Sequence, residues 1–142
     1  MVSHVLSKGT KVEIERPVGG SVKEEIGCIT SFDTPQASRD EIDVTCLQST
    51  SKEFILGFVD NGTATFDINF DGCDDGQQEV EAALQDDDPS TITITLSDTT
   101  EIEFDAYVQS FNLTGSVGAA VTGTITVRVT GDVTFSWPSS CS

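Results

Sequence analysis

This chain is poor in the residues from which catalytic and nucleic-acid-binding sites are built. It has one histidine, one tryptophan, one tyrosine and one methionine in 142 residues, and only seven Lys and Arg side chains. Against those seven cations stand 24 carboxylates, for a formal charge of −17 that would repel a polyanion from most of the surface. Sequence-specific DNA binding is thereby excluded. The four cysteines, Cys28, Cys46, Cys73 and Cys141, have no Cys-x-x-Cys spacing, and with His4 alone they make no zinc motif. Free thiols, mostly buried, are expected. No stretch approaches the ~20 apolar residues of a membrane span. The first eleven residues hold no apolar run of the kind a secretory signal needs, so synthesis and assembly in the cytoplasm are expected.

Short segments that sort cleanly with a period of two are abundant. Along Thr63–Asp71 the odd positions are Thr, Thr, Asp, Asn and Asp, and the even ones Ala, Phe, Ile and Phe. The same alternation runs through Glu41–Thr45, Thr91–Leu96 and Glu101–Ala106. Only an extended strand separates residues this way, so these segments predict a sheet with a dry face and an anionic, threonine-rich wet face. An apolar fraction of 37%, with eight Phe, is enough for one domain with a core that needs no disulfide or metal.

The remaining organisation follows from breakers and periodicity. Residues 1–9 read as a flexible arm. Strands are expected over Lys11–Arg16, which Pro17 to Ser21 interrupts, then over Ile26–Phe32 and Glu41–Cys46. Leu47–Asn61 reads as a long loop, yet it carries Phe54, Ile55, Leu56, Phe58 and Val59, too many large apolar side chains for a purely solvated segment. Asp74–Gln85 is predicted as a helix. Asp74/Gln77 and Asp75/Gln78 have capping-box spacing, Val80, Ala83 and Leu84 form one stripe, and Asp86-Asp87-Asp88-Pro89 ends it with carboxylates projecting into solvent. A hairpin over Thr91–Phe111 turns at Ser97–Thr100, and two last strands, about Thr122–Thr130 and Asp132–Phe135, are parted by Gly131. The fold class is α+β, mainly antiparallel β, in one domain over residues 1–142. Phe66, Ile68 and Phe70 are expected to pack on Ile92, Ile94, Ile102, Phe104, Val80 and Leu84.

Three constellations invite chemistry and fail on geometry. Asp71–Gly76 lacks the Asp-x-Asp-x-Asp-Gly spacing and the distal Glu of a calcium loop, and helix capping accounts for it. Glu101 and Glu103 share a strand face but lack an apolar pocket that would raise one pKa for acid/base work. His4 has no nucleophile arranged around it. No catalytic residue, metal site or cofactor is expected.

The run Ile29-Thr30-Ser31-Phe32-Asp33-Thr34-Pro35, then Asp40–Thr45, Lys52–Gly62, Phe66–Asp71 and Asp75–Gln78, resembles the major tail tube protein of long-tailed bacteriophages. Phe104–Phe111 and Val117–Val121 through Val133 resemble that family's second half. The resemblance implies a β-sandwich or half-barrel flanked by one helix, assembled as stacked hexameric rings into a hollow virion tail tube through which phage DNA passes during ejection. It implies as partners other copies of this chain, the tape measure protein, and tail-tip and tail-terminator proteins, with no membrane insertion. No immunoglobulin-like decoration domain of the kind some relatives carry is expected after Ser142. On this reading Asp67, Asn69, Glu101, Glu103 and Asp105 contribute to an acidic lumen wall, and the Leu47–Asn61 loop stacks rings through Phe54, Ile55, Leu56 and Phe58. An inner tube of a contractile tail, bacteriocin or secretion system is the alternative, and a carbohydrate-binding sandwich, poorly served by one Trp and one Tyr, is a third.

Overall fold

The computed structural model describes residues 9–16 and 22–138. The sequence expectations for residues 1–8, for His4, for the break over 17–21 and for Cys141 lie outside them.

Alternation of apolar and polar side chains produces the strands. They are β1 (Lys11–Arg16), β2 (Val22–Glu25), β3 (Ile29–Asp33), β4 (Ser38–Asp43), β5 (Phe54–Asp60), β6 (Thr63–Asn69), β7 (Ser90–Thr95), β8 (Glu101–Thr114) and β9 (Thr122–Ser136), with one helix, α1 (Asp75–Leu84), between β6 and β7. Seven strands form an antiparallel sheet in the order β2-β1-β7-β8-β9-β6-β3, and β4 and β5 form a separate two-stranded ribbon. The two edge strands, β2 and β3, follow one another in the chain. Ile26, Gly27 and Cys28 alone carry the backbone from one edge to the other, so the sheet must curl, although no ladder closes it into a barrel.

The apolar residues line the inside of this curl. Val12, Ile14, Phe66, Ile68, Ile92, Ile94, Ile102, Phe104, Ile125 and Val127 are each at most 3% exposed and belong to one cluster. Helix α1 lays Val80 and Ala83 into the same cluster, with Leu84 partly buried beside them. The expected core therefore holds for every member except Phe70, which is 44% exposed. Strand β6 ends one residue earlier, at Asn69, and β9 begins only at Thr122, so no strand is left to cover the Phe70 ring.

Helix α1 begins where its cap is. Asp74 has extended backbone and its carboxylate accepts from Gln77 N at 2.9 Å. The capping box is only half formed, because the Gln77 side chain is used elsewhere. Its Oε1 accepts from Asp71 N, and its Nε2 donates to Gly27 O and Asn69 O at 3.0 and 3.1 Å. A buried amide thus ties the helix start to the β2–β3 crossing and to the end of β6. At the other end Arg16 on β1 donates to Glu79 at 3.0 Å and Asp86 at 2.8 Å. Of the acidic run beyond the helix, then, Asp86 is not simply solvated but is held by Arg16. That hydrogen bond is the main cause holding the Asp86 carboxyl below its ordinary range and raising Arg16.

Four other expectations are corrected. The strand read over Ile26–Phe32 starts only at Ile29, because Ile26–Cys28 are the crossing from β2 to β3, where Cys28 takes a positive φ of 59°. The strand read over Glu41–Cys46 starts earlier and ends at Asp43. The last two strands are one, because Gly131, at φ 82°, lets two extra residues bulge out between Thr130 and Val133 without ending the ladder with β8. The described cysteines, Cys28, Cys46 and Cys73, are free but exposed rather than buried.

Candidate functional site

The outer face of the curled sheet is mostly polar, because the strands that turn apolar residues inward turn chiefly Thr, Ser, Asp and Glu outward, with Lys11 at one corner and Tyr107 and Arg128 paired near the middle. Register makes rows of them. One row runs Lys11, Thr95, Glu101, Ser136; the next Glu13, Thr93, Glu103, Thr134; the next Glu15, Thr91, Asp105, Thr130. At the far end of β8 a further row runs Asn112, Thr124, Asp67, Ser31. All five residues predicted for the acidic wall lie on this face, in two groups. Glu101, Glu103 and Asp105 sit at the start of β8, whereas Asp67 and Asn69 sit near its end, through Thr124 and Thr122 of β9.

The carboxylates are spaced by threonines that hold some of them in place. Thr91 Oγ1 donates to Asp105 at 2.7 Å, and Asp67 accepts from Ser31 Oγ at 2.7 Å and Thr124 Oγ1 at 3.1 Å. Thr93, only 3% exposed, lies between Glu13 and Glu103 in register. Near the middle, Arg128 is paired with Asp60 at 3.0 Å. The Asp60 carboxyl is held below its usual range first by the Gly62 backbone N–H and then by Arg128. Among the described residues, no group of three or more His, Cys, Asp or Glu side chains could hold a metal ion.

The second half of the segment read as a long loop is strand. Phe54–Asp60 pairs with Ser38–Asp43 in a hairpin whose turn spans Val44–Glu53. Asp43 and Thr45 pin the turn: Thr45 N donates to Asp43 Oδ1, and Glu53 N donates to Thr45 Oγ1. The hairpin joins the main sheet at its base, where Asn61 Nδ2 donates to Gly131 O at 2.6 Å and Val129 N to Gly62 O at 2.9 Å. Beyond that base it stands clear. Phe54, Ile55 and Leu56 are about half exposed, at 48–54%, and Phe58 is 99% exposed. Sequence reasoning found these side chains but missed the strand, because β5 carries apolar residues on both of its faces and shows no alternation, whereas the alternation read over Glu41–Thr45 leaves Ile42 and Val44 exposed at 47% and 42% rather than in a core.

Reasoning from sequence also missed an apolar groove at the opposite pole. Phe70, Phe111 and Leu113 form its walls and Gln78 and Glu81 of α1 its rim, around about 440 Å³. Phe70 continues the alternation that marks core residues, so nothing in the sequence separates it from Phe66 and signals the groove.

Comparisons with known proteins agree with this architecture. A family model described as phage tail tube, lambda-like, matches residues 3–101. Structural protein 3 of Pseudomonas phage PAJU2 is 28% identical over 129 residues, covering 75% of this chain and 78% of that protein. Among solved structures, the SPP1 tail tube protein superposes with a TM-score of 0.74 at 14% identity, over 93% of this chain and 78% of its own. A tail subunit of an empty gene transfer agent particle gives 0.77 at 14% identity, over 94% and 100%. A subunit of the PVC sheath–tube complex, from an extracellular contractile injection system, gives 0.71 at 13% identity, over 94% and 91%. These structural likenesses are of fold. The family match spans more than half of the sequence, and the chain belongs to the lambda-like phage tail tube family.

Proposed function

We propose that this tail tube protein polymerises as stacked hexameric rings, that its polar sheet face lines the lumen, and that phage DNA passes along that face during ejection. The observation that carries the reading is the predominantly acidic and hydroxylic face across the seven-stranded sheet, on strands whose other face supplies the core. Among the described residues β2 and β3 are the edges of the sheet, which leaves each subunit able to extend it into neighbours on either side, and a ring closed in that way removes edges that would otherwise aggregate. An acidic wall suits a conduit physically. Phosphates are repelled rather than bound, and at physiological salt the repulsion reaches only about 8–10 Å from the wall. Arg128 does not defeat this, because Asp60 neutralises it.

Within this reading Asp67, Asn69, Glu101, Glu103 and Asp105 belong to the wall, and the hairpin carrying Phe54, Ile55, Leu56 and Phe58 contacts the next ring. The chain is a structural subunit with no reaction of its own and no cofactor. It is made in the host cytoplasm, ends in the virion tail, and meets the tape measure, tail-tip and tail-terminator proteins there. The gene transfer agent tail relative was refined with sixfold symmetry, which supports six subunits per ring. The likeness to contractile injection tubes keeps an inner contractile tube as the second reading, since the fold is shared; the lambda-like family match favours the tail without a sheath.

Negative-stain electron microscopy of the concentrated protein tests the reading. Rings or tubes on the order of 100 Å wide are expected, from the size of a 142-residue domain arranged around a lumen. Monodisperse monomers at every salt and protein concentration would count against it.

A further inference from the structure

The hairpin and the apolar groove stand at opposite ends of one strand. Asp60 closes the hairpin and leads through Asn61 and Gly62 into Thr63, the first residue of β6; Asn69, its last, leads directly into Phe70 in the groove. Seven residues at ~3.3 Å each separate the two by about 20 Å. Among the described residues, then, an apolar projection at one pole and an apolar recess at the other have no partner within the subunit. Such an arrangement cannot satisfy itself within a subunit, nor in a symmetric pair that uses one patch twice. It is satisfied when copies follow head to tail.

Details of the two surfaces match. Phe58, the most exposed Phe of the hairpin at 99%, stands beside Arg39 in a shallow depression with Ile42 and Leu56. The groove offers aromatic and aliphatic walls, Phe70, Phe111 and Leu113, and two exposed carboxylates, Asp71 and Glu81. An aromatic anchor with a flanking guanidinium fits an apolar recess with a carboxylate rim.

We propose that the groove bounded by Phe70, Phe111 and Leu113 receives Phe58 from the hairpin of a second copy, with Arg39 of that copy facing Glu81. The proposal rests on the tube reading above and adds to it the receiving site on the other subunit. It places the contact on the helix side of β6 and β8, away from the acidic face, so the surface that drives stacking and the surface that meets DNA are separate.

Photo-crosslinking within assembled tubes tests it. Subunits with p-benzoylphenylalanine in place of Phe58 are mixed with 15N-labelled wild-type subunits, assembled and irradiated, and crosslinked peptides are read by mass spectrometry. Crosslinks from position 58 of one isotope to residues 70–81 or 111–113 of the other are expected. Intermolecular crosslinks confined to other segments overturn the proposal and leave the tube reading intact. Wild-type protein that forms neither rings nor tubes overturns both. If the substituted subunit fails to assemble, a charge swap decides. Arg39→Glu should lower tube yield at least tenfold and Arg39→Glu with Glu81→Arg should restore it; a double variant no better than the single one overturns the proposal.

Discussion

The Asp74 carboxylate and the Gly27 backbone N–H are joined at 3.0 Å across 47 positions of the chain, through the same oxygen that caps α1 by accepting from Gln77 N. One side chain therefore sets where the helix begins and how the chain crosses between the two edges of the curled sheet. Asp74→Ala removes the cap, worth ~1 kcal/mol, and strands the Gly27 donor, worth ~1–3 kcal/mol more. Urea unfolding should show a loss of about 2–4 kcal/mol, with Asp74→Asn losing less because its amide oxygen still accepts. Equal and small losses for both variants would mean that water replaces the carboxylate at no cost.

How much of this was legible beforehand depends on where each residue's partners lie. Phe66, Ile102 and Phe104 announce themselves, since alternation along one strand is enough to place them inside. The cap at Asp74 is legible too, because its first partner is three residues away. The bond from Gly27 to Asp74, the pairing of Arg16 with Asp86 and the contact of Gln77 with Asn69 O are not, since each depends on the curl of the sheet. The hairpin shows the converse limit. Ile55, Leu56 and Phe58 read as loop residues because β5 has apolar side chains on both faces and so carries no period of two. A partner outside the chain leaves no pattern inside it.

Phe66 and Phe70 lie on one strand pattern and differ in burial, at 0% and 44% exposed. Phe66→Ala should cost ~3–5 kcal/mol, as expected for a large ring removed from a closed core. Phe70→Ala should cost under about 1 kcal/mol, because its ring is half solvated before the change. Comparable losses for the two in equilibrium unfolding would show that the groove is occupied in the isolated subunit.

Acid should loosen the α1–β1 junction before the core. Asp86, lowered by Arg16, is protonated only at a pH below the value it has in the unfolded chain, so its contribution is present above that unfolded value, near 4, and fades as pH falls through the lower folded one. The difference in melting temperature between wild type and Arg16→Met should therefore be constant from pH 7 to about 5 and shrink below about 4. A gap unchanged down to about pH 2 would assign the whole effect to Arg16 packing rather than to the ion pair.

The acidic face can be tested without disturbing the fold. Glu101 and Glu103 are exposed and point away from the core residues Ile102 and Phe104. Replacing both by Lys should leave thermal stability within about 1 kcal/mol and tubes intact, while slowing DNA ejection from virions through new phosphate attraction. The delay should be largest at low salt, where attraction reaches furthest. Ejection kinetics unchanged at low ionic strength would remove these two residues from the lumen wall.

Assembly sets an apolar gain against a charge penalty. Burying two hairpin side chains such as Phe54 and Phe58 is worth ~3–6 kcal/mol per subunit contact, repeated around each ring. Bringing together subunits of formal charge −17 opposes it, and that opposition is screened by salt while burial is not. Tube growth followed by light scattering should accordingly speed up as salt rises through the physiological range. Deleting Ser49–Lys52 at the hairpin turn together with Phe54→Ser should give folded, soluble subunits that form no tubes at any salt, because neither change touches the main sheet or its core. Normal growth by that variant would take the hairpin out of the contact between rings and leave stacking to the segments at the two ends of the chain.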